Sequence, residues 1–554
     1  MFTPMEFFHS DSFSSQVRHL MAQHHVPGLA IAIVQDDEIA SAGYGYACLD
    51  PEKPCTADTL FDIASCSKSM TAASVGLLVE DNEKYPKVQW ETTMSSLLPD
   101  DFVMPTTEAT QGVTVEDILS HRTGMGCHDL SYMGPQAAQP DTARSVTRNL
   151  RNLDMVYPLR AKFLYNNMMF TVAAHLVEVK TQQSFTEFLE EHFFQPLGMD
   201  STSLQPSSAR AKGLGGRMAR GYEWFKEDSA YRNFPPPDAP ESQGAGFIVT
   251  SVNDYIKWVK ALLRREGPVS ETLYQGLVRL RSFQNPDGKR LRKFESPLMY
   301  AAGLDVSWYR GYTVIGHGGY IGGFGSHFFF LPEMNFGIVA MGNAGNANPV
   351  SNSVCRLLIN AVLNVSKMDR PLKSKKSKKK TPDAVKSDLT IRTKARPSDH
   401  TRSTRKNESR RDDKSDNVSN NEEAKDQTTP RDAPKPKSKK PQQKPEKKPR
   451  PQTKPLSEYV GKYWNPGYHT LTVDIKDDKL FVDATDRTFG CTMTFEHVSD
   501  QRKYIAHISD VYEGGDYKAT TQFVFDESGR AVRMGLDFES ELKHLIWFER
   551  EKDT

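Results

Sequence analysis

The sequence predicts a mixed α/β (α+β) chain: an antiparallel sheet flanked by helices and carrying an all-helical cap, followed by a small antiparallel β-barrel. Three observations predict it. An apolar hairpin near the N-terminus and a group of strands before residue 345 bracket a middle that reads as helix. From about residue 456, short strands recur between Asp, Glu and Gly turns, the pattern of a barrel or sandwich. Between these two parts the composition changes. Residues 371–455 carry 27 Lys+Arg against 12 Asp+Glu, a net of +15, which leaves 44 basic against 58 acidic residues, or −14, elsewhere. With no aromatic residue from 366 to 455, that stretch cannot bury enough apolar surface to offset chain entropy and is expected to be disordered. The expected division is 1–366, 367–455 and 456–554, and 554 residues are indeed too many for one ordinary core.

Taken in order, residues 12–25 form an amphipathic helix, with Phe13, Val17, Leu20 and Met21 at helical spacing. Residues 26–34 are a buried strand, returned by Gln35-Asp36-Asp37 through 38–45 as a hairpin. A strand-like approach at Leu60-Phe61-Asp62-Ile63 leads through small residues to a helix over 70–80. Residues 113–124 read as a capped helix stopped by Gly124, and 125–160 as a loop-rich helical cap. Further helices follow Asn167 and cover 185–194 and 252–263. Strands are expected at 300–308, 312–315, 326–331 and 337–341, then a closing helix at 349–365 with Val354, Leu358 and Val362 on its apolar side. Eight short strands are expected between 459 and 548.

Several function classes are excluded by expectation. No run of about 18 apolar residues exists, so neither a membrane span nor a membrane partner is expected. The N-terminus lacks a basic and apolar leader, which makes the expected location cytoplasmic. Six scattered cysteines without a Cys-x-x-Cys pair argue against a zinc site or disulfide scaffold; a Cys48–Cys55 contact is the weaker alternative. No cofactor or metal is expected. The Lys-rich run 373–380 fits a nucleic-acid contact or nuclear address, but a solvated tether is the more common fate of such a block.

The chemistry starts at Ser65-Cys66-Ser67-Lys68. At the start of a helix, Ser65 and Lys68 lie one turn apart with Cβ atoms roughly 5–6 Å apart. An amine then reaches a hydroxyl, and the helix N-terminus favours the alkoxide. A capping serine followed by a solvated lysine would look the same, and Ser-x-x-Lys recurs by chance. Two later motifs answer it. In Tyr165-Asn166-Asn167, Tyr165 and Asn167 fall on one side of an extended segment, where a phenol can relay a proton and an amide can hold a carbonyl or the lysine. A tyrosine packing on the core is the plain alternative. In Gly316-His317-Gly318-Gly319-Tyr320-Ile321-Gly322-Gly323, the glycines let a ligand approach the backbone, with His317 toward substrate and the Tyr320 N–H toward an oxyanion. No Gly-Lys-Ser/Thr follows, so a phosphate loop is a poor reading, while a structural histidine stays open.

Together, Ser-x-x-Lys, Tyr-x-Asn and His-x-Gly in this order resemble the serine β-lactamase and penicillin-recognising superfamily, in its class C β-lactamase, D-aminopeptidase and esterase branch. Flanking words agree: Val26-Pro27-Gly28, Ile118-Leu119-Ser120-His121-Arg122-Thr123-Gly124, Pro196-Leu197-Gly198-Met199, Gly316-His317-Gly318-Gly319 and Leu331-Pro332-Glu333. The resemblance covers roughly 10–365, and 456–550 is similar to the lipocalin-like barrel appended to some D-aminopeptidase-like members. It implies that Ser65 is acylated, that Lys68 is the general base, and that Tyr165 helps return the proton to the leaving group. It also implies an oxyanion hole from the Ser65 and Tyr320 N–H groups, Asn167 orienting Lys68 or the substrate amide, and a substrate strand formed by His317, Gly318, Gly319 and Tyr320. Lys68 must then be largely deprotonated, well below the ordinary lysine value of about 10.4. In the β-lactamases proper a lysine stands where His317 is, so the expected activity is that of a serine hydrolase on an amide or ester. An acyltransferase or transesterase acting on a small metabolite is the nearest variant, and a non-catalytic scaffold with a nucleic-acid-binding linker is the rival. The expected partner is a small-molecule or short peptide or ester substrate, and the oligomeric state stays open.

Overall fold

The computed structural model describes residues 3–366 and 451–552. The linker and its run 373–380 lie outside the described residues. Two helices open the chain, Pro4–Phe8 capped by Thr3 and Asp11–His24 capped by Ser10. Strand β1 (Gly28–Gln35) returns through β2 (Glu38–Leu49) in the register Gly28↔Gly45 to Gln35↔Glu38, and a short β3 (Glu52–Pro54) pairs with β2. Strand β4 (Phe61–Asp62) runs into the Ser65 turn, and β5 (Ser203–Leu204) lies beyond the helical middle. A hairpin follows, β6 (Gly221–Phe225) with β7 (Ala230–Phe234), then β8 (Ile248–Thr250), which pairs with both β4 and β5. The chain returns through β9 (Ser282–Phe283), β10 (Met299–Tyr300), β11 (Asp305–Tyr309), β12 (Tyr312–Ile321), β13 (Phe324–Leu331) and β14 (Phe336–Gly342).

The main sheet has nine strands in the order β3-β2-β1-β14-β13-β12-β11-β10-β9. Its first and last long strands are neighbours, with antiparallel β1 and β14 in the register Leu29↔Gly342 to Gln35↔Phe336. Alternation along β1 explains its continuous apolar run. Leu29, Ile31 and Ile33 pack with the helices Asp11–His24 and Ala347–Val362, whereas Ala30, Ala32 and Val34 pack with Lys68–Glu80 and Val252–Arg264. Both faces are buried.

Some expectations are corrected. The helix read over 113–124 is only Val115–Ile118. The Asp117 carboxylate, having capped Thr114, also accepts from Arg122 and Arg160, and the chain leaves the helix at His121 with φ +57°. The strand expected to stop at 315 continues to Ile321, so Gly316, Gly318 and Gly319 lie within the strand, while Gly322 and Gly323 form the turn at its end. Gly319 serves close approach: a Cβ there would sit 2.1 Å from the Ile63 carbonyl oxygen beside the Ser65 turn. The β6–β7 hairpin was not suggested by the sequence, where only Tyr222-Glu223-Trp224 alternates. All six cysteines are free, so the Cys48–Cys55 alternative is not formed.

After residue 451, eight strands close into a barrel: β15 (Gly461–Asn465), β16 (His469–Lys476), β17 (Lys479–Ala484), β18 (Cys491–Ser499), β19 (Lys503–Asp510), β20 (Gly514–Phe525), β21 (Ala531–Leu536) and β22 (Ile546–Arg550). β15 pairs with β22 through Tyr463↔Arg550, which removes the free edges. Tyr463, Val482, Met493, Phe523 and Phe548 fill its interior. The body and the barrel pack as one compact unit. Among the described residues, no helix is long and apolar enough to cross a membrane.

Candidate active site

The Ser65 turn is built by β4. Asp62 Oδ1 accepts the Ala64 N–H at 2.7 Å, holding Ala64 at φ +46° so that the chain turns at once into the 3-10 helix Ala64–Ser67 and then the helix Lys68–Glu80. Burial pushes the Asp62 carboxyl up to about 7. Ser65 and Lys68 are both buried, and Lys68 Nζ lies 2.9 Å from Ser65 Oγ. The amine also lies 2.8 Å from Asn167 Oδ1 and 2.7 Å from the Ala245 carbonyl. Those two oxygens can only accept. They take two of the Lys68 N–H bonds and leave the third position of the nitrogen facing Ser65 Oγ, to which an ammonium donates and toward which a neutral amine would turn its lone pair.

The orientation of Asn167 is set from behind. Its Nδ2 donates to Asp129 Oδ1 at 3.2 Å, and a carboxylate has nothing to give back, so the amide oxygen must face Lys68. Tyr165 OH donates to Ser65 Oγ at 2.9 Å, and the Lys68 amine stands 4.9 Å from the centre of the Tyr165 ring. Of the residues singled out in the sequence, Ser65, Lys68, Tyr165 and Asn167 therefore meet within hydrogen-bonding reach.

β12 passes beside this group. Cys66 Sγ lies 3.4 Å from the His317 carbonyl, and Ser326 Oγ of β13 donates to the Ile63 carbonyl at 2.8 Å. Gly318 and Gly319 therefore run directly alongside the Ser65 turn. Tyr320 turns its hydroxyl onto the Glu513 carboxylate of the barrel. The His317 ring is buried among polar partners, with Nδ1 2.6 Å from the Gly318 carbonyl and Nε2 2.9 Å from Tyr300 OH. Burial and then the Lys68 charge hold His317 down to about 3, and the same two causes hold His121 well below the ordinary range. Both rings are neutral at pH 7. His121 Nδ1 accepts the Asn166 N–H at 3.1 Å, so its proton is on Nε2 and points at Tyr300 OH, 3.2 Å away. Tyr300 in turn donates to His317 Nε2, and the chain of donors has one direction.

His121, Tyr300, Asp129 and Glu539 were not singled out from sequence. Only His121 lay within a quoted word, and no spacing links the other three to Ser65. A cavity of about 1090 Å³ opens above the group, lined from the body by Asp129, Tyr165 and His317 and from the barrel by Phe489, Tyr512 and Glu539. The barrel is stitched to the rim: Arg487 donates to the Leu130 carbonyl at 2.9 Å, the Gly134 N–H donates to the Asp486 carbonyl at 2.9 Å, and Thr488 donates to Glu241. Among the described residues, no group of three or more His, Cys, Asp or Glu is arranged to hold a metal ion.

The family described as Beta-lactamase matches residues 13–360, and a domain of unknown function (DUF3471) matches 445–550. The chain is 30% identical over 550 residues to a protein named Unguisins hydrolase ungD' from Aspergillus campestris, covering 98% of this chain and 92% of that one. Its fold is shared with the octameric penicillin-binding protein homologue from Pyrococcus abyssi, at TM-score 0.54 and 16% identity over 97% of this chain and 99% of that one. It is also shared with the D-amino acid amidase from Ochrobactrum anthropi SV3, at TM-score 0.51 and 20% identity over 64% of this chain and 99% of that one. The chain belongs to the beta-lactamase family and is a serine hydrolase of that type.

Proposed function

We propose that this protein hydrolyses an amide bond in a peptide-like substrate through an acyl-enzyme on Ser65. One observation carries the reading: Lys68 Nζ stands 2.9 Å from Ser65 Oγ while acceptor-only oxygens occupy its other directions. Ser65 Oγ attacks the carbonyl carbon as its proton passes to the Lys68 lone pair. The oxyanion is held by the Ser65 and Tyr320 N–H groups, each such donor being worth about 3 kcal/mol in the transition state. The C–N bond then breaks, and Tyr165 gives its proton to the leaving nitrogen and recovers one from Lys68. Water attacks the acyl carbon, Lys68 takes the water proton, and Ser65 leaves with it.

An amide is favoured over an ester because a leaving amine must be protonated as it departs. Tyr165 OH, 2.9 Å from Ser65 Oγ, is placed for that task. Esters place less demand on the same machinery and are expected as faster artificial substrates. Transfer of the acyl group to a small alcohol or amine is the nearest variant, differing only in what replaces water. A neutral His317 offers no cation for a substrate carboxylate, which speaks against an efficient β-lactamase. The cavity, about 1090 Å³, is at the upper end of ligand-site sizes and suits a substrate of several residues. The similarity to Unguisins hydrolase ungD' makes unguisins the first compounds to test.

A fluorophosphonate probe tests the reading. Wild type is expected to label on Ser65 and Ser65→Ala to lose all labelling; equal labelling of Ser65→Ala would overturn it.

A further inference from the structure

We infer that Glu539, contributed by the barrel, is a positioning residue for the catalytic lysine, acting through Asp129 and Asn167; the inference rests on the acyl-enzyme reading of Ser65. Glu539 lies between β21 and β22, 8% exposed, and reaches across the seam into the body. Its Oε2 accepts the N–H of Cys127 at 2.7 Å and the N–H of His128 at 3.3 Å. Gly126 lets it come this close, since a Cβ there would lie 2.8 Å from the same oxygen. The barrel holds His128 a second time, because His128 Nδ1 is 2.7 Å from Tyr468 OH while its Nε2 is 2.8 Å from the Asp154 carbonyl. His128 sits at φ +51°, a conformation that needs such support.

The clamped turn presents Asp129. Its Oδ2 accepts the Cys127 S–H at 2.8 Å and its Oδ1 accepts Asn167 Nδ2 at 3.2 Å, which leaves Asn167 Oδ1 on Lys68 at 2.8 Å. The direction of that amide decides the chemistry. A reversed Asn167 would point its NH₂ at the Lys68 lone pair and compete with the Ser65 proton for it. An acceptor-only group at position 129 forbids the reversal, and Glu539 holds that group in place. The charged and titratable groups around Asp129 are Cys127, Glu539 and Lys68, with the Tyr132 and Tyr468 hydroxyls and the His128 ring close by. Burial, with a smaller contribution from the Glu539 charge, pushes Asp129 up to about 6, so it is ionised at pH 7. Removing the Glu539 charge lets Asp129 ionise at lower pH.

The test is the pH dependence of fluorophosphonate acylation in the full chain. Glu539→Gln keeps an acceptor for the two N–H groups but loses the charge. Its acid limb is expected to shift to lower pH by about half a unit or more, the effect of removing one nearby charge. Asp129→Asn, which can satisfy either orientation of Asn167, is expected to lower the plateau rate about tenfold, the size expected when a group orienting a catalytic side chain is lost. His544→Ala, which removes an exposed contact between the barrel and Asp154, is expected to match wild type in both respects. If wild type does not label on Ser65, both readings fall. If wild type labels and Glu539→Gln superimposes on it while Asp129→Asn keeps the full plateau rate, the inference alone falls.

Discussion

At the scale of single residues the account turns on which atoms can give a proton. Lys68 faces two oxygens that only accept, and Ser65 Oγ accepts from Tyr165. In the proposed reaction the serine proton passes to Lys68, and the phenol serves the leaving group. Tyr165→Phe is accordingly expected to slow amide hydrolysis by 10²-fold or more, within the usual range for a general acid, and to slow a p-nitrophenyl ester far less. Paired steady-state measurements on one acyl group check this. Much of this quartet was legible in the sequence. Ser65 and Lys68 are one turn apart, which local geometry alone brings together, and Tyr165 and Asn167 stand two apart. His121 and Tyr300 were not legible as a relay. They meet only because β10 and the broken helix at Val115–Ile118 converge on β12, and no local spacing records that contact.

At the scale of elements, the least legible features are those where tertiary contacts override local pattern. The helix over 113–124 stops early because Asp117 answers two arginines, one of them from more than forty residues downstream. The glycine word reads as a strand end, and Gly322 and Gly323 do turn the chain there, yet Gly316, Gly318 and Gly319 are mid-strand, and Gly319 makes room for the Ile63 carbonyl and the Ser326 hydroxyl. The barrel strands were more legible, since each needs only alternation and a turn. Glu241 shows the cost of joining such elements. It is fully buried on the 3-10 turn Pro240–Ser242, its Oε1 accepts from Thr488 of the barrel, and its Oε2 has no hydrogen-bond partner. Burial pushes its carboxyl up to about 7 from an ordinary 4.5. The folded state then holds this proton more tightly than the unfolded chain does, so the penalty is absent below pH 4.5 and grows as pH rises to 7. Glu241→Gln is expected to stabilise the protein at pH 8 by up to about 3 kcal/mol, with the gain vanishing near pH 4. Denaturant melts at the two pH values check it.

At the scale of the whole molecule, the body supplies the proposed nucleophile and the barrel lines part of the cavity. Phe489, Tyr512 and Glu539 come from a segment that the sequence separates from Ser65 by over 400 residues, so the enclosed site is a property of the complete chain. A fold of this kind hosts many reactions, so the proposal of peptide-like amides rests on the site, with its neutral His317. The central claim is the covalent step on Ser65. Its most direct test is rapid quenching during turnover of an amide substrate, followed by peptide mass analysis. The account predicts an acyl adduct on the peptide containing Ser65, present in wild type and absent in Lys68→Met. Product formed with no such adduct, or an adduct on another residue, would contradict it.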